Sequence, residues 1–430
     1  MRNFLWAGAL ASVAGAASAQ SRPPAPGDTL RLGRAAAIAT AIGANLQVEV
    51  AKQQAAQARA QLVQAVALPE PSLGASFDGQ SSPINTGSAT GRTVNVGVAI
   101  PFPDKFRLKG AIGNSNVRAF DAQTRMVQQQ IASQAARSYD SVLVTRMHRR
   151  DLLEARELAA DFLAKSKARF DAGTTARLDV IKATVLLAQA DNDLIANSRD
   201  VTNAESALNR VLGRPLGAPI IAIDSLEAPP PPGPLEEAEQ MALRRRPEIT
   251  TAEEQLRGAG ATSRLARETA FAPDFSISAN RDYAADAGTL YSLGLSMPLS
   301  IFWWQHRRGE FAETHHRELE LDAVLRDTRA AVGQDVRAAW TTADVSVRQA
   351  IFIRDQLLPS AREAFRVATL SYGLGRLSAL DVLDARSTLL DAQRQYADAL
   401  AAASSARADL DRATGAPIGA PTATTSGARP

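Results

Sequence analysis

The sequence predicts an α+β membrane protein, duplicated internally, in which long antiparallel coiled-coil helices carry four β-strands per chain into a barrel wall. Three observations predict it. The phrase GTTARLDVIKA at Gly173–Ala183 returns as GRLSALDVLDA at Gly375–Ala385. Long stretches lack both glycine and proline. Four short segments alternate apolar with small polar residues.

The chain of 430 residues begins MRNFLWAGALASVAGAASAQ. Arg2, the apolar run behind it and the small residues Ala17-Ser18-Ala19 fit an export signal over residues 1–19. There is no cysteine, hence no disulfide framework and no lipid-acceptor thiol after the signal. Beyond the signal no apolar run reaches the ~20 residues a spanning helix needs. A net charge of +3 gives no case for nucleic acid. Four histidines and five methionines are too scattered for a metal-handling protein, and no cofactor motif appears.

The duplication sets the domain plan. At an offset of 202, Phe170 meets Tyr372, Leu178 meets Leu380, Asp179 meets Asp381 and Leu187 meets Leu389. GRPLG at Gly213–Gly217 meets GAPIG at Gly415–Gly419. Upstream the offset is 201, with Ile131, Ala135 and Tyr139 meeting Val332, Val336 and Trp340. The first repeat spans residues 28–226 and the second 235–419. Between them EAPPPPGP (227–234) is a stiff polyproline-type linker. Residues 420–430 are a tail.

Within each repeat the order is helix, two strands, long helix, long helix. Residues 114–172 contain neither glycine nor proline, and an unbroken helix there would run roughly 90 Å. Residues 174–212 and 376–414 share that property at equal length. Ile131, Ala135, Tyr139 and Val142 step at helical spacing. Helices this long cannot bury themselves in one ball and must lie alongside each other in coiled-coil-like pairs. In the second repeat Gly333 and Pro359 interrupt the pattern, which predicts a kink or break near Pro359.

The strands are expected at about 71–79, 92–101, 273–282 and 289–298. Val94, Val96, Val98 and Ile100 alternate with Asn95, Gly97 and Ala99; Tyr291, Leu293, Leu295 and Met297 alternate with Ser292, Gly294 and Ser296. Leu73, Ala75 and Phe77 match Phe275, Ile277 and Ala279. Apolar outward with small polar residues inward is what a membrane barrel wall requires. Phe102, Tyr283 and Phe302-Trp303-Trp304 stand near strand ends as candidate interfacial girdles. Four strands cannot close a barrel, and open edges in lipid leave backbone groups unpaired. Copies of the chain must therefore share one. Two copies give eight strands with a filled interior, three give twelve and a lumen, and symmetry does not exclude four.

ALRRRPEI (Ala242–Ile249), ALPEPSL (Ala67–Leu73), FAPDFSIS (Phe271–Ser278), Leu357-Leu358-Pro359 and SYGLGRLSALDVLDA (Ser371–Ala385) occur in an order that resembles the TolC family of outer-membrane efflux proteins, over roughly residues 28–420. The resemblance implies a homotrimer in the outer membrane. Its twelve-strand barrel would continue into a twelve-helix periplasmic tunnel, working with a periplasmic adaptor and an inner-membrane pump. The recurring phrase then becomes the turn between paired helices at the periplasmic tip, at about 171–178 and 373–380.

At these turns Gly173 and Gly375 can take the positive φ that ends the incoming helix. Ser378 precedes Asp381 by three, as in a capping box; the first repeat has Ala176 there, leaving Thr174 or Thr175 to cap. The resemblance implies that Asp381 and Asp384 form a ring at a closed entrance, and that Tyr372 bonds across protomers to Asp179. Carboxylates crowded around one axis would have raised pKa values and attract cations. The family's gate arginine falls on Leu377, with Arg376 one place early, and its threonine partner falls on Leu178, so the chain departs from the family's pattern at that second link. Gly173, Leu178, Gly375 and Leu380 are the candidate adaptor-contacting tip.

Two other classes fit the sequence less well. An enzyme has only ETHHRELE (Glu313–Glu320) to offer, where His315 and Glu318 or His316 and Glu320 share spacing but lack a third strong ligand; a solvated helix face explains it. A periplasmic coiled-coil scaffold or adhesin explains export and helices but not four phase-matched strands. Within the channel reading, drug, heavy metal and type I protein export stay open.

Overall fold

The computed structural model describes residues 30–79, 89–284, 288–298, 302, 305 and 307–418. The expected signal at 1–19, the inner part of the loop at 79–91, residues 285–287 of the second loop, Trp303, Trp304 and the tail at 420–430 lie outside the described residues.

The first repeat comprises β1 (Leu30–Leu32), α1 (Arg34–Ala44), α2 (Leu46–Ala65), β2 (Ser72–Asp78), β3 (Gly91–Ile100), α3 (Pro103–Asp171), α4 (Arg177–Val211) and β4 (Ile220–Ala222). The second comprises α5 (Leu235–Arg245), α6 (Pro247–Phe271), β5 (Phe275–Ala284), β6 (Gly288–Ser296), α7 (Arg308–Phe352), a π turn (Ile353–Leu357), α8 (Leu358–Gly373) and α9 (Ala379–Thr414). Most of the chain is helical, and no helix among the described residues is long and apolar enough to cross a membrane.

α3 starts earlier than the glycine-free stretch suggested, with Pro103 opening its first turn, where no intrahelical N–H is needed. It is 69 residues long, roughly 100 Å. The run passes through Gly110 and Gly113. A Cβ at Gly113 would lie 2.6 Å from Leu62 Cδ1, so the glycine admits α2 against α3. α3 packs on α4, α2, α6 and α9, while α7 packs on α9 and α6. The two long hairpins thus lie side by side. Halfway along, β1 and β4 pair in parallel, Leu30 opposite Ile220, over a core that includes Ile38, Val48, Ile131, Tyr139, Leu208 and Leu212. The Tyr139 hydroxyl lies 2.9 Å from Leu32 O, tying that small sheet to α3.

The expected break at Pro359 is a π turn inside a continuing helical run, and Gly333 interrupts nothing. The Leu358 N–H bonds Ile353 O, five residues back. Proline then follows, with no N–H to give. The buried residues step Val347, Ala350, Ile353, then across five residues to Leu358 and Ala361, all against α9. The extra residue in the turn is the one by which the repeat offset grows from 201 at Tyr139/Trp340 to 202 at Phe170/Tyr372.

The strands form one antiparallel sheet in the order β2-β3-β5-β6. Its register carries the alternation across all four: Leu73, Val96, Ala279 and Leu293 make one row, and Gly74, Asn95, Asn280 and Ser292 the next. Along β3 the apolar positions Val94, Val96 and Ile100 are exposed, while Thr93, Asn95 and Gly97 are half-buried. Leu293 is 85% exposed and no described element covers it. The apolar face is less uniform than its sequence suggested, because Arg92 and Arg281 fall on it near the loop end. β2 and β6 have no strand partner on their outer edges among the described residues.

Candidate functional site

Both tips are built by the same backbone device. At the first, Gly173 has φ 72°, its N–H bonds Phe170 O at 2.9 Å, and the Thr174 N–H bonds Arg169 O at 2.9 Å. At the second, Gly375 has φ 73°, with N–H bonds from Gly375 to Tyr372 O (3.0 Å) and from Arg376 to Ser371 O (2.9 Å). These paired bonds satisfy the last carbonyls of α3 and α8 in the Schellman pattern, which requires a left-handed residue.

The outgoing helices start differently. Ser378 and Asp381 form the expected capping box: Asp381 Oδ2 accepts from the Ser378 N–H at 2.9 Å and its hydroxyl at 2.7 Å. These bonds to Ser378 hold the exposed Asp381 carboxyl below the usual carboxylate range. This local effect opposes the rise expected from crowding carboxylates around an axis. In the first tip Ala176 occupies the cap position and supplies no side-chain bond. Neither threonine caps: the Thr174 hydroxyl turns back to Arg169 O, and the Thr175 hydroxyl donates to Asp179 Oδ2. Asp384 is exposed one turn along α9 from Asp381.

Tyr372, expected from the resemblance to reach another copy, is only 4% exposed here. Its hydroxyl lies 3.3 Å from Ser166 Oγ. Its ring packs 5.2 Å from that of Phe162, inside a cluster with Ala183, Ala368, Ala379 and Val382. The Arg169 guanidinium lies 4.7 Å above the ring, and Arg169 Nη1 donates to Tyr372 O at 2.7 Å. Arg169 therefore fastens the end of α3 to the end of α8. Sequence reasoning missed it, because nothing in its spacing marks an arginine that reaches a carbonyl about 200 residues away. Arg386, also unforeseen, is buried on α9 and donates from Nη2 to Ala155 O at 3.1 Å. Between the hairpins lies a groove of about 590 Å³ lined by Phe162, Phe365, Leu370, Tyr372, Arg169 and Arg386.

The candidate adaptor leucines point outward: Leu178 is 56% and Leu380 62% exposed. Leu377, where the family places its arginine, is half-exposed. At the far end of the molecule His315 and His316 are exposed on α7, and Glu320 is paired with Arg317. Among the described residues no group of histidine, aspartate and glutamate is arranged to hold a metal ion.

The family model for outer membrane efflux proteins matches residues 39–214 and again residues 239–416. The chain belongs to that family. Each match covers one repeat. This outer membrane efflux protein is similar to the cobalt-zinc-cadmium resistance protein CzcC of Cupriavidus metallidurans, with 25% identity over 388 residues covering 88% of this chain and 89% of the relative. It is also similar to the pyoverdine export outer membrane protein OpmQ of Pseudomonas aeruginosa, 28% identical over 286 residues, 65% of this chain and 60% of that one. Among solved structures, the outer membrane protein VceC from Vibrio cholerae superposes with a TM-score of 0.72 at 19% identity, covering 89% and 96% of the two chains. The efflux protein is thus the outer-membrane exit channel of a tripartite system, extending into the periplasm, and its family is one of channels.

Proposed function

We propose that three copies of this chain close one twelve-strand barrel over a helical tunnel, which conducts substrates passively outward from a pump and its periplasmic adaptor. The six periplasmic tips then serve as both lock and socket. Three copies leave a lumen where two would fill the interior with side chains. The open edges of β2 and β6 demand neighbours in lipid.

The gate is formed by Asp179, Asp381 and Asp384 from each chain, with Tyr372 bracing the two tips from inside. The observation that carries this reading is the contrast within each tip. Asp381 and Asp384 are exposed and Asp179 is half-buried beside Thr175, while Tyr372 and Arg169 bind the two turns into one body. A ring of carboxylates favours cations at the entrance and repels anions. The adaptor docks on the tips through Leu178 and Leu380, whose turns depend on Gly173 and Gly375. Leucines this exposed suit a helical partner that buries them. With Leu178 and Leu377 replacing the family's second link, the lock relies on the aspartates and the brace.

The lumen row of the sheet is small and carries few charges, which suits a duct that discriminates little among solutes and takes its specificity from the pump. The test is single-channel conductance of the purified protein in planar bilayers, after its detergent-corrected mass has been measured. Three chains per particle and a cation preference that falls in the D179N/D381N/D384N variant are expected. Unchanged conductance and ion preference in that variant would remove the gate. A detergent-independent monomer would remove the barrel. Leu178→Asp and Leu380→Asp should weaken adaptor capture while the particle keeps its mass.

A further inference from the structure

The end of the molecule opposite the tips carries residues that the gate and the docking surface leave unused. Arg92 stands one residue inside the loop end of β3, opposite Tyr283 of β5. Arg281 of β5 stands opposite Val94 on one side and Tyr291 of β6 on the other. The two arginines are therefore diagonal neighbours on one face, the face that also presents Leu73, Val96 and Leu293. Both are exposed, and among the described residues neither guanidinium is in an ion pair or hydrogen bond.

Among the described residues, the acids at the same level are on the other face. Asp78 lies opposite Gly91, and Asp282 lies opposite Thr93, whose hydroxyl holds it at 2.6 Å. Both point with Asn95 and Asn280 toward the lumen. The outward positions of the four described strands carry no carboxylate. A neighbouring copy would add only its own β2 or β6 outward row, Leu73, Ala75 and Phe77 or Thr289, Tyr291, Leu293 and Leu295, again without an acid. Two like charges set diagonally on a sheet repel, and arginine on a lipid-facing strand is tolerated best near the interface. The pair calls for an external anion.

We propose that Arg92 and Arg281, flanked by Tyr283 and Tyr291, hold the phosphate of a phosphorylated lipid headgroup in the outer leaflet, one site per chain. Guanidinium forks match phosphate oxygens better than any other side chain does. Tyrosines sit at headgroup level in membrane barrels, with apolar ring and wet hydroxyl. Directly below lie Val94, Val96, Leu293 and Leu295, exposed and contiguous, which would carry the acyl chains. That apolar strip selects a lipid over a free phosphate ion. The inference rests on the outer-membrane placement of the strands and is independent of the gate.

The test is native mass spectrometry of the detergent-extracted protein titrated with bis-phosphorylated lipid A and, separately, with the same lipid stripped of its phosphates. The phosphorylated lipid should bind about tenfold more tightly and saturate at one per chain. The R92Q/R281Q variant should bind it no better than wild type binds the stripped lipid, with conductance unchanged. Excess inorganic phosphate should leave the lipid bound. Equal affinity for the two lipids, or full-strength binding by the double variant, would overturn the site. Complete displacement by inorganic phosphate would reduce it to an ion site and overturn the lipid assignment. If the double variant does not assemble, the comparison of the two lipids on wild type decides alone.

Discussion

The two tips share φ to within a degree at their glycines and the Leu-Asp-Val triplet that follows, yet they differ in how the residues around the turn are used. The clearest case is the aromatic that the duplication places three residues before each turning glycine. Phe170 is 41% exposed, while its counterpart Tyr372 is 4% exposed and pinned by Phe162, Ser166 and Arg169. The second tip also has a capped outgoing helix, and the first does not. Duplication has thus kept the turn and reassigned the work. The second tip is anchored into the protein, and the first lends it the anchor.

Four experiments break or sharpen that contrast. Replacing Tyr372 with alanine removes a buried aromatic and should cost about 3–5 kcal/mol. Phe170→Ala should cost about 1 kcal/mol or less, so equal losses in thermal unfolding would erase the asymmetry. Gly173→Ala and Gly375→Ala should each cost roughly 1–2 kcal/mol, because both force a Cβ into left-handed backbone. Here the tips should respond alike, and hydrogen exchange of the last turns of α3 and α8 reads the result.

Ser378→Ala should cost about 1 kcal/mol through loss of the cap, whereas Ala176→Ser should stabilise α4 by a similar amount if the serine adopts the same geometry; exchange at the first turns of α9 and α4 tests both. The smallest effect is on acid response. The Asp381 carboxyl is held below its ordinary value of 3.8 by Ser378. Its contribution is therefore present above that value and lost as pH falls through the lowered one. Ser378→Ala should shift protection loss in α9 to higher pH, and an unshifted acid profile would detach the cap from the titration.

Much of this was legible in the sequence because periodicity and duplication are local or regular signals. The strand phases follow from alternation alone, and Gly173 and Gly375 announce their φ because no other residue adopts it cheaply. The capping box was legible at Ser378 and Asp381. What was not legible depends on contacts between distant residues. The start of α3 at Pro103 was hidden by Gly110 and Gly113, which look like breakers until Val66 is seen beside the first and Leu62 against the second. Thr174 and Thr175 are both candidate caps by position, but the hydroxyl of one turns back to Arg169 O and that of the other to Asp179, a choice that spacing cannot decide. Arg169 and the inward turn of Tyr372 arise from the packing of one hairpin on the other. Arg92 and Arg281 interrupt the alternation of apolar residues, and their shared face emerges only from the pairing of β3 with β5.

The π turn at Ile353–Leu357 has a mechanical meaning. One residue added to a helix rotates everything beyond it by about 100°. Without the turn, α8 would arrive at its tip with the wrong azimuth, carrying Tyr372 away from Phe162 and Arg169. The widened turn takes up that rotation where Pro359 has already removed a donor. It works as a vernier between the barrel end and the tip, and it makes the second hairpin's length discontinuous. A single-residue deletion there would leave Pro359 in a plain α-helix and swing the second tip out of alignment with the first. Evolution can lengthen or shorten this hairpin only in steps that restore the angle.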